Sequence, residues 1–309
     1  MKLFEVDLPG PAPGEVRIRH TAIGLNYIDT YHRSGLYAIK LPSGLGLEAA
    51  GVVEGVGQGV STLAVGDRVA YGNGPLGAYS TARNIQAAKL AKLPAAIADE
   101  AAAGMMLKGM TARYLLRATY RVKPGETILL HAAAGGVGMI AAQWAKALGA
   151  TVIGTVGSDS KMELARAHGC AHVINSSTEN VVARVKEITG GKGVPVVYDG
   201  VGQATFMTSL DCLSPRGLLV SFGNASGPVT GVELGILASK GSLYVTRPTL
   251  GTYIASDADL AETTNDLIEI VQSGKVKIPV NQTYALPDVI QAHRDLAQRK
   301  TTGTTVLLP

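Results

Sequence analysis

The chain has 309 residues, including 38 glycines, with 17% charged and 5% aromatic residues and a formal net charge of +4. This length could hold two domains, and the composition is that of a globular, turn-rich protein and excludes a disordered one. The basic residues are dispersed, so nucleic acid is not expected as a partner. No run of about 18 apolar residues predicts a membrane span, and the first residues lack the apolar core of a signal peptide. Two isolated cysteines, Cys170 and Cys212, indicate reduced thiols and a cytoplasmic location.

Residues 1–104 are predicted to be rich in β-strands. From Val16 to Ala22 apolar and polar side chains alternate, which is typical of a half-buried strand. Glycine-rich turns separate further short apolar runs at Ala50–Val53, Arg68–Tyr71 and Ala78–Thr81, and the whole predicts a compact, barrel-like β-domain. Residues 24–37, GLNYIDTYHRSGLY, fit no regular period and are assigned no element.

From about Asp99 the pattern becomes helical, and residues 127–246 then alternate strand and helix. The predicted strands are Thr127–His131, Thr151–Thr155, His172–Asn175, Pro195–Asp199, Gly217–Ser221 and Ser242–Val245. The predicted helices lie near residues 138–148, 159–168, 178–189 and 203–212. Six strands in this alternation predict an α/β fold with a doubly wound parallel sheet, which binds its ligand at the carboxyl ends of the strands.

After Pro248 the chain leaves this alternation. Two helices are predicted, at Asp257–Gly274 and Pro287–Arg299, followed by a strand at Thr304–Leu308. We expect this strand to return to the β-domain, which makes that domain discontinuous.

The turn between the first predicted strand and helix of the α/β region carries a dinucleotide fingerprint. Ala133–Gly138, AAGGVG, fits the pattern G-x-G-x-x-G with Ala133 in place of the first glycine. Small residues let backbone N–H groups approach a pyrophosphate, the helix N-terminus adds partial positive charge, and Gly138 allows close packing of helix on strand. The position after a strand and before a helix favours a dinucleotide site over a simple tight turn.

The end of the second strand of this region indicates which dinucleotide binds. Sites for NAD usually carry an acidic residue about 20 residues after the fingerprint. Here the strand ends in Gly157 and Ser158, Asp159 lies just beyond, and Lys161 follows at the start of the next helix. A small polar pocket with a lysine suits a 2′-phosphate, so NADPH is preferred over NADH.

Six stretches of the sequence resemble a known family. They are GLNYIDTYHRSGLY, LPSGLGLEAAGVVEGVG, VGDRVAY, HAAAGGVG, VVYDGVG and VSFGNASG. On them the chain resembles the medium-chain dehydrogenase/reductase superfamily and, within it, the zinc-independent NADPH-dependent quinone oxidoreductases of the zeta-crystallin branch. The resemblance implies a discontinuous GroES-like catalytic domain at residues 1–107 and 249–309 and a six-stranded Rossmann NADPH-binding domain at residues 108–248. Family members usually have one more hairpin before this start, so a shortened N-terminus is expected.

The same resemblance bears on metal binding. Zinc alcohol dehydrogenases of the superfamily have a cysteine where this chain has Asn26 and a histidine where it has Leu47. They also carry a four-cysteine zinc lobe that has no counterpart here. Leucine cannot bind zinc and an asparagine amide binds it poorly, so no metal is expected.

Without zinc, the substrate must accept a hydride readily, as a quinone does. The resemblance implies that Asn26, Tyr31 and Tyr37 line the substrate cleft beside the nicotinamide as the catalytic residues, with Tyr27 and Asp29 as weaker candidates. These side chains can hydrogen-bond a quinone oxygen and stack on its ring. Tyr31 and Tyr37 could instead be core aromatics, and Asn26 could be a turn residue.

The residues expected to bind the cofactor follow partly from the fingerprint and partly from the resemblance. They are Lys108, Thr111, Ala134, Gly135, Gly136, Val137, Gly157, Ser158, Lys161, Ser176, Phe222, Asn224, Ser226 and Arg299. Ser176 stands where the family often has a tyrosine that helps to hold the 2′-phosphate, so it provides at most a smaller hydrogen bond. Arg299 could pair with a phosphate or be an ordinary solvated arginine.

Two other functions and one assembly remain open at this point. One alternative is an NADPH-dependent reductase of enones or alkenals, and the other is a non-catalytic, crystallin-like NADPH-binding protein. The last strand of the α/β region, Ser242–Thr246, is an apolar edge, so a homodimer through it is expected.

Overall fold

The computed structural model describes residues 1–309, which form two compact units. The first, named the β-unit, comprises residues 1–110, 254–273 and 278–309. The second, named the α/β-unit, comprises residues 111–253 and 274–277.

The chain forms thirteen strands in two sheets. They are β1 (Glu15–Leu25), β2 (Glu48–Val56), β3 (Arg68–Tyr71), β4 (Ala82–Gln86), β5 (Ala91–Lys92), β6 (Thr127–Leu130), β7 (Thr151–Val156), β8 (His172–Asn175), β9 (Val194–Asp199), β10 (Leu213–Ser221), β11 (Tyr244–Thr246), β12 (Val280–Ala285) and β13 (Thr304–Leu308).

The helices are mostly short. They are α1 (Tyr27–Ser34), α2 (Asp99–Tyr114), α3 (Gly136–Ala147), α4 (Met162–Ala167), α5 (Val181–Ile188), α6 (Phe206–Cys212), α7 (Gly235–Ser239), α8 (Leu250–Tyr253), α9 (Asp257–Gln272) and α10 (Val289–Ala297). None of them is both long enough and apolar enough to cross a membrane.

The β-unit is organised around β1, which pairs antiparallel with β2, β4 and β13. The sheet order is β12-β13-β1-β2-β3-β5, with β4 joined to β1. Val16 and Ile18 of β1 are fully buried in an apolar core that includes Val289 of α10. Ile23 of β1 stands opposite Leu307 of β13. The predicted return of the C-terminal strand to this unit is therefore confirmed.

The α/β-unit contains a six-stranded sheet in which all neighbouring strands are parallel. Its order is β11-β10-β9-β6-β7-β8, so the chain begins at the centre, fills one side and then crosses to the other. The strand order reverses between β6 and β9, and in such sheets a crevice opens there at the carboxyl ends. Leu129, Ile153 and Val197 of the central strands are fully buried in its core.

The predicted fold class, an α/β protein with a doubly wound sheet and a separate β-rich part, is confirmed. One local prediction was wrong, and one helix was not predicted. Ala78–Thr81 is not a strand, because backbone bonds from Ala78 and Tyr79 tie this segment to the loop at residues 45–46, and the strand β4 follows instead. Within the unassigned stretch 24–37, the helix α1 begins after Asn26 and ends before Gly35.

Candidate functional site

The turn before α3 has the form that the fingerprint predicts. Ala133 N donates to Thr155 O at 2.9 Å, and Gly135 N donates to Ala132 O at 2.9 Å. The helix begins at Gly136, directly after the turn. Because the first N–H groups of a helix have no partner within it, this turn presents backbone donors to an anion.

Gly138 brings the helix close to the turn. A Cβ atom at this position would overlap Ala132 O and lie 2.8 Å from Ala133 Cα. No larger side chain fits without displacing backbone, which is the role that the fingerprint gives its last glycine. The residues predicted to bind the pyrophosphate therefore lie together at this helix end: Ala134, Gly135, Gly136 and Val137.

Serine side chains brace the end of β7. Ser176 Oγ donates to Val156 O at 3.0 Å, and Ser177 Oγ donates to Gly157 O at 2.9 Å. Ser158 follows directly, so Gly157, Ser158 and Ser176, three residues predicted to bind the cofactor, lie close together. The hydroxyl of Ser176 already serves the backbone, which limits what it could give to a 2′-phosphate.

The acid nearest this strand end is bound to a neighbouring strand. Asn175 Nδ2 donates to Asp159 Oδ1 at 2.8 Å, and Asn175 itself is 3% exposed. The carboxylate is therefore held at β8 by a buried amide. Lys161, half-buried in the next turn, supplies the positive charge of this region.

Asp199, at the end of β9, is completely buried and fully hydrogen-bonded. Its Oδ1 accepts from Val201 N at 2.8 Å and from Gly202 N at 3.1 Å. Its Oδ2 accepts from Thr205 Oγ1 and from Ser209 Oγ, both at 2.7 Å. Four donors satisfy the carboxylate and fix the loop that follows the strand.

A histidine extends this network across the strand ends. Ser209 Oγ lies 3.0 Å from His131 Nε2, and His131 Nδ1 lies 2.9 Å from Thr155 Oγ1. Because the Ser209 hydroxyl donates its hydrogen bond to Asp199, it accepts one from His131 Nε2, and His131 Nδ1 then accepts one from Thr155. Burial lowers the pKa of His131, in agreement with a neutral ring. This series of hydrogen bonds links the carboxyl ends of β6, β7 and β9.

The loop after β10 contains the other predicted cofactor residues. Phe222 N donates to Asp199 O at 2.8 Å, and Phe222, Asn224 and Ser226 are half-buried. Ser226 Oγ donates to Val201 O at 2.8 Å and accepts from Ala204 N at 3.0 Å. Ser226 thus joins the loops after β9 and β10, which positions this part of the site.

In the β-unit, Asn26 and Lys108 meet at one carboxylate. Asn26 Nδ2 donates to Glu48 Oε2 at 2.7 Å, and Lys108 Nζ donates to the same oxygen at 3.0 Å. Leu107 N donates to Glu48 Oε1 at 2.7 Å. Glu48 has no exposed surface, and Asn26 and Lys108 are 4% and 5% exposed. This buried ion pair fixes two predicted site residues beside each other.

Gly24 makes room for this carboxylate. A Cβ atom on Gly24 would lie 2.6 Å from Glu48 Cδ and would also overlap Ala103 O. Gly24, two residues before Asn26, is therefore required for the packing of the Glu48 side chain.

The predicted aromatic residues lie next to each other. The ring centroids of Tyr31 and Tyr37 are 5.1 Å apart, and those of Tyr27 and Tyr31 are 5.5 Å apart, both edge-to-face. Tyr31 is 8% exposed and Tyr37 is half-buried. Tyr31 is thus largely a packed residue, and Tyr37 offers more open ring surface.

A second buried carboxylate lies on α1. Asp29 Oδ2 accepts from Asn26 N at 2.9 Å and from Tyr79 Oη at 2.8 Å. Tyr79 Oη also lies 2.9 Å from His293 Nε2, and His293 Nδ1 lies 3.2 Å from an Arg33 guanidinium nitrogen. Burial raises the pKa of Asp29 to about 7. Burial, together with the charge of Arg33, lowers the pKa of His293 to about 4.

The remaining predicted residues are dispersed. Thr111 is buried on α2 within the α/β-unit. Arg299, an exposed residue just after α10, belongs to the β-unit.

Sequence reasoning did not identify Glu48, Tyr79 and His293 in the β-unit as parts of the site. In the α/β-unit it likewise missed the hydrogen bond of Ser209 to Asp199 and the one between His131 and Ser209. The loop Asp199–Gly202 lies at a strand end, where ligands of such sheets bind.

Two family models match the chain. Residues 12–124 match the alcohol dehydrogenase GroES-like domain, and residues 136–270 match the zinc-binding dehydrogenase domain. The residues present do not fit a zinc ion. The chain has no group of three or more histidine, cysteine or acidic side chains that could hold a metal, and Leu47 is apolar and buried.

Known proteins resemble the chain over nearly its whole length. The quinone oxidoreductase of Pseudomonas aeruginosa is 60% identical over 300 residues, covering 97% of this chain and 92% of that protein. The crystal structure of Escherichia coli quinone oxidoreductase complexed with NADPH matches with a TM-score of 0.97 at 55% identity, covering 99% of this chain and 95% of that one. The 2-haloacrylate reductase of a Burkholderia species is 49% identical over 315 residues, covering 99% and 94%.

These matches confirm the resemblance that the six sequence stretches carry. The chain belongs to the quinone oxidoreductases of the medium-chain dehydrogenase/reductase superfamily.

Proposed function

We propose that this protein reduces quinones with NADPH as the reductant and uses no metal. The observation that carries the proposal is the dinucleotide turn Ala133–Gly138 at the start of α3, and Lys161 lies in the turn between β7 and α4. The relatives support it, since the Pseudomonas aeruginosa protein is named a quinone oxidoreductase and the Escherichia coli structure contains NADPH.

The α/β-unit would hold the cofactor. The backbone N–H groups at the start of α3 suit the pyrophosphate, and Lys161 with Ser158 suits the 2′-phosphate. NADPH, when bound, supplies a hydride. Asn175 Nδ2 donates to Asp159 Oδ1, which holds this carboxylate at β8.

The β-unit would hold the substrate. Asn26 and Tyr37 are the candidates for contact with a quinone oxygen and ring, with Tyr31 packed behind them. Lys108 and Asn26 lie side by side, because Glu48 binds both side chains.

A second candidate function has one observation in its favour. The Burkholderia relative is named a 2-haloacrylate reductase, and a 2-haloacrylate is an activated alkene. An enone or alkenal reductase would use the same cofactor residues and differ only in the acceptor.

One assay separates these functions. The oxidation of NADPH is followed by its absorbance with a quinone, with an enone, and with NADH as an alternative donor. Quinone-dependent turnover that favours NADPH supports the proposal, and turnover of the enone alone favours the second candidate. Binding of NADPH without turnover of either acceptor would instead indicate the non-catalytic, crystallin-like alternative.

The predicted assembly and location extend this proposal. In β11, the edge strand of the α/β-unit, Tyr244 is 61% exposed and Val245 is 40% exposed. These apolar side chains support a homodimer through Ser242–Thr246, and a monomer in analytical ultracentrifugation would contradict it.

Cys170 and Cys212 are buried free thiols, which supports a cytoplasmic location. The domain bounds at residues 107–108 and 248–249 remain a prediction.

A further inference from the structure

Asp29 is a buried carboxylate with half of its hydrogen-bonding capacity unused. The residue has no exposed surface, and its Oδ2 atom accepts both of its hydrogen bonds. Its Oδ1 atom is buried without a hydrogen-bond partner. Structural carboxylates are normally satisfied at both oxygens, so this arrangement calls for a function.

The direction of every hydrogen bond leading to Asp29 can be assigned. A guanidinium only donates, so Arg33 donates to His293 Nδ1. The neutral ring of His293 then carries its proton on Nε2 and donates to Tyr79 Oη. With its oxygen occupied in this way, Tyr79 turns its own proton to Asp29. The chain from Arg33 therefore ends in one donor directed at the carboxylate.

The second donor to Asp29 is the backbone of a site residue. Asn26 N donates to Asp29 Oδ2, while the Asn26 side chain donates to Glu48. Two buried carboxylates thus hold the backbone and the side chain of the same asparagine. Glu48 holds Lys108 as well, whereas Asp29 has no cation bound to it.

We propose that Asp29 is a positioning residue for the reaction: its ionised carboxylate, aligned by Tyr79 and His293, fixes Asn26 in the geometry that binds the quinone. This inference rests on the proposed quinone reductase function. An ionised carboxylate accepts stronger hydrogen bonds than a protonated one. Protonation of Asp29 therefore loosens the backbone of Asn26, and turnover falls with it.

The electrostatic surroundings agree with a titration near neutral pH. The charged and titratable groups facing Asp29 are Tyr79, His293 with Arg33, Lys108 on α2 and Glu48 on β2. Burial is the largest influence on the pKa of Asp29 and raises it, the hydrogen bonds from Asn26 and Tyr79 lower it, and the charges of Lys108 and Glu48 act in opposite directions.

The test compares the pH dependence of kcat/KM for a quinone in the wild type and two variants, between about pH 6 and about pH 9. The wild type is expected to lose activity as the pH falls through about 7. Asp29→Asn should remove this acid limb and lower kcat/KM at high pH about tenfold, with the NADPH dissociation constant unchanged within about twofold. Tyr79→Phe should move the limb to higher pH, because the lost bond favoured the ionised form.

A matched control is available in the same unit. Tyr71 is a buried tyrosine whose Oη lies 3.1 Å from His20 Nε2, but its network has no carboxylate. Tyr71→Phe should therefore leave the acid limb at its wild-type pH.

Either of two results would overturn the inference alone: a wild-type acid limb that Asp29→Asn leaves in place, or the same shift in Tyr71→Phe as in Tyr79→Phe. If Asp29→Asn does not fold, the comparison of the two tyrosine variants decides. A wild type that turns over no quinone at any pH would overturn the proposed function and, with it, this inference.

Discussion

The protein contains two buried aspartates, one in each unit, that end similar chains of hydrogen bonds and differ in how they are satisfied. Asp199 accepts four hydrogen bonds, two at each oxygen. Asp29 accepts two, both at one oxygen. In each case a neutral histidine, His131 or His293, donates a hydrogen bond to a hydroxyl group, and that hydroxyl donates a hydrogen bond to the carboxylate. Asp199 is held at both oxygens by four donors, whereas Asp29 keeps one oxygen without a donor and burial raises its pKa to about 7.

The comparison is tested most directly by the pH dependence of stability. The pKa of Asp29 is raised to about 7 in the folded protein from an ordinary value of 3.8, so the folded state binds this proton more tightly than the unfolded state. The stability that Asp29 contributes is complete below about pH 4 and is lost as the pH rises to about 7. Asp29→Asn should remove this loss. Between about pH 4 and about pH 8, the free energy of unfolding of the variant should rise relative to the wild type by up to about 4 kcal/mol, as urea unfolding would show.

Asp199 is expected to stabilise the fold through its hydrogen bonds, so its removal should lower the free energy of unfolding. Asp199→Ala leaves two backbone N–H groups and the Ser209 hydroxyl without their acceptor, while Thr205 Oγ1 keeps Gly202 O at 3.2 Å. We expect a loss of about 3 kcal/mol in the free energy of unfolding, measured in urea. Asp199→Asn keeps one acceptor oxygen and should lose about half as much. A loss in Asp199→Ala below about 1 kcal/mol would mean that these hydrogen bonds contribute little to the stability of the fold.

The tight packing of the dinucleotide turn can be tested at Gly138. Gly138→Ala places a methyl group against the backbone of Ala132 and Ala133, and we expect it to lower the free energy of unfolding by about 2 kcal/mol. Gly157→Ala is the matched control for stability, because nothing lies within 4 Å of its Cβ position. Equal effects of the two substitutions in urea unfolding would show that the turn can relax.

Lys161 provides the smallest of the expected effects. If it holds the 2′-phosphate, Lys161→Ala should raise the KM for NADPH about tenfold and leave the KM for NADH nearly unchanged, since one charge-assisted contact is worth about 1.4 kcal/mol. Lys146→Ala removes an exposed lysine of α3 and is the control. A similar increase for both donors would assign Lys161 a general electrostatic role instead of a role in selecting NADPH.

The sequence predicts the α/β-unit better than the β-unit, for a physical reason. The strands β6, β7 and β8 coincide with the predicted apolar runs within one residue at each end, because buried parallel strands consist of continuous apolar residues bounded by turns. The helix α1 was missed, although Asn26 before it and Gly35 after it are cap residues. It has only 8 residues, and its buried side is formed by Asp29, Thr30 and Tyr31, which are not an apolar stripe.

The candidate site divides in the same way. The dinucleotide turn is local, so a window of six residues, Ala133–Gly138, predicts it. The network of Asp29 draws Tyr79 from a loop and His293 from α10, far apart in the chain. Glu48 likewise meets Asn26 and Lys108 from separate elements. No periodic pattern in the sequence predicts these side-chain contacts, since they depend on tertiary packing.

The place of β13 has a consequence for how the protein is made. This strand lies inside the sheet of the β-unit, between β12 and β1, and not at its edge. On the ribosome, β1 is synthesised long before β13 is available to pair with it, whereas the α/β-unit comes almost entirely from the continuous segment 111–253. Domains generally fold as units during synthesis, so the α/β-unit can fold while β1 still lacks one of its neighbours. Until translation reaches residues 304–308, the unpaired side of β1 is a surface that a chaperone could protect.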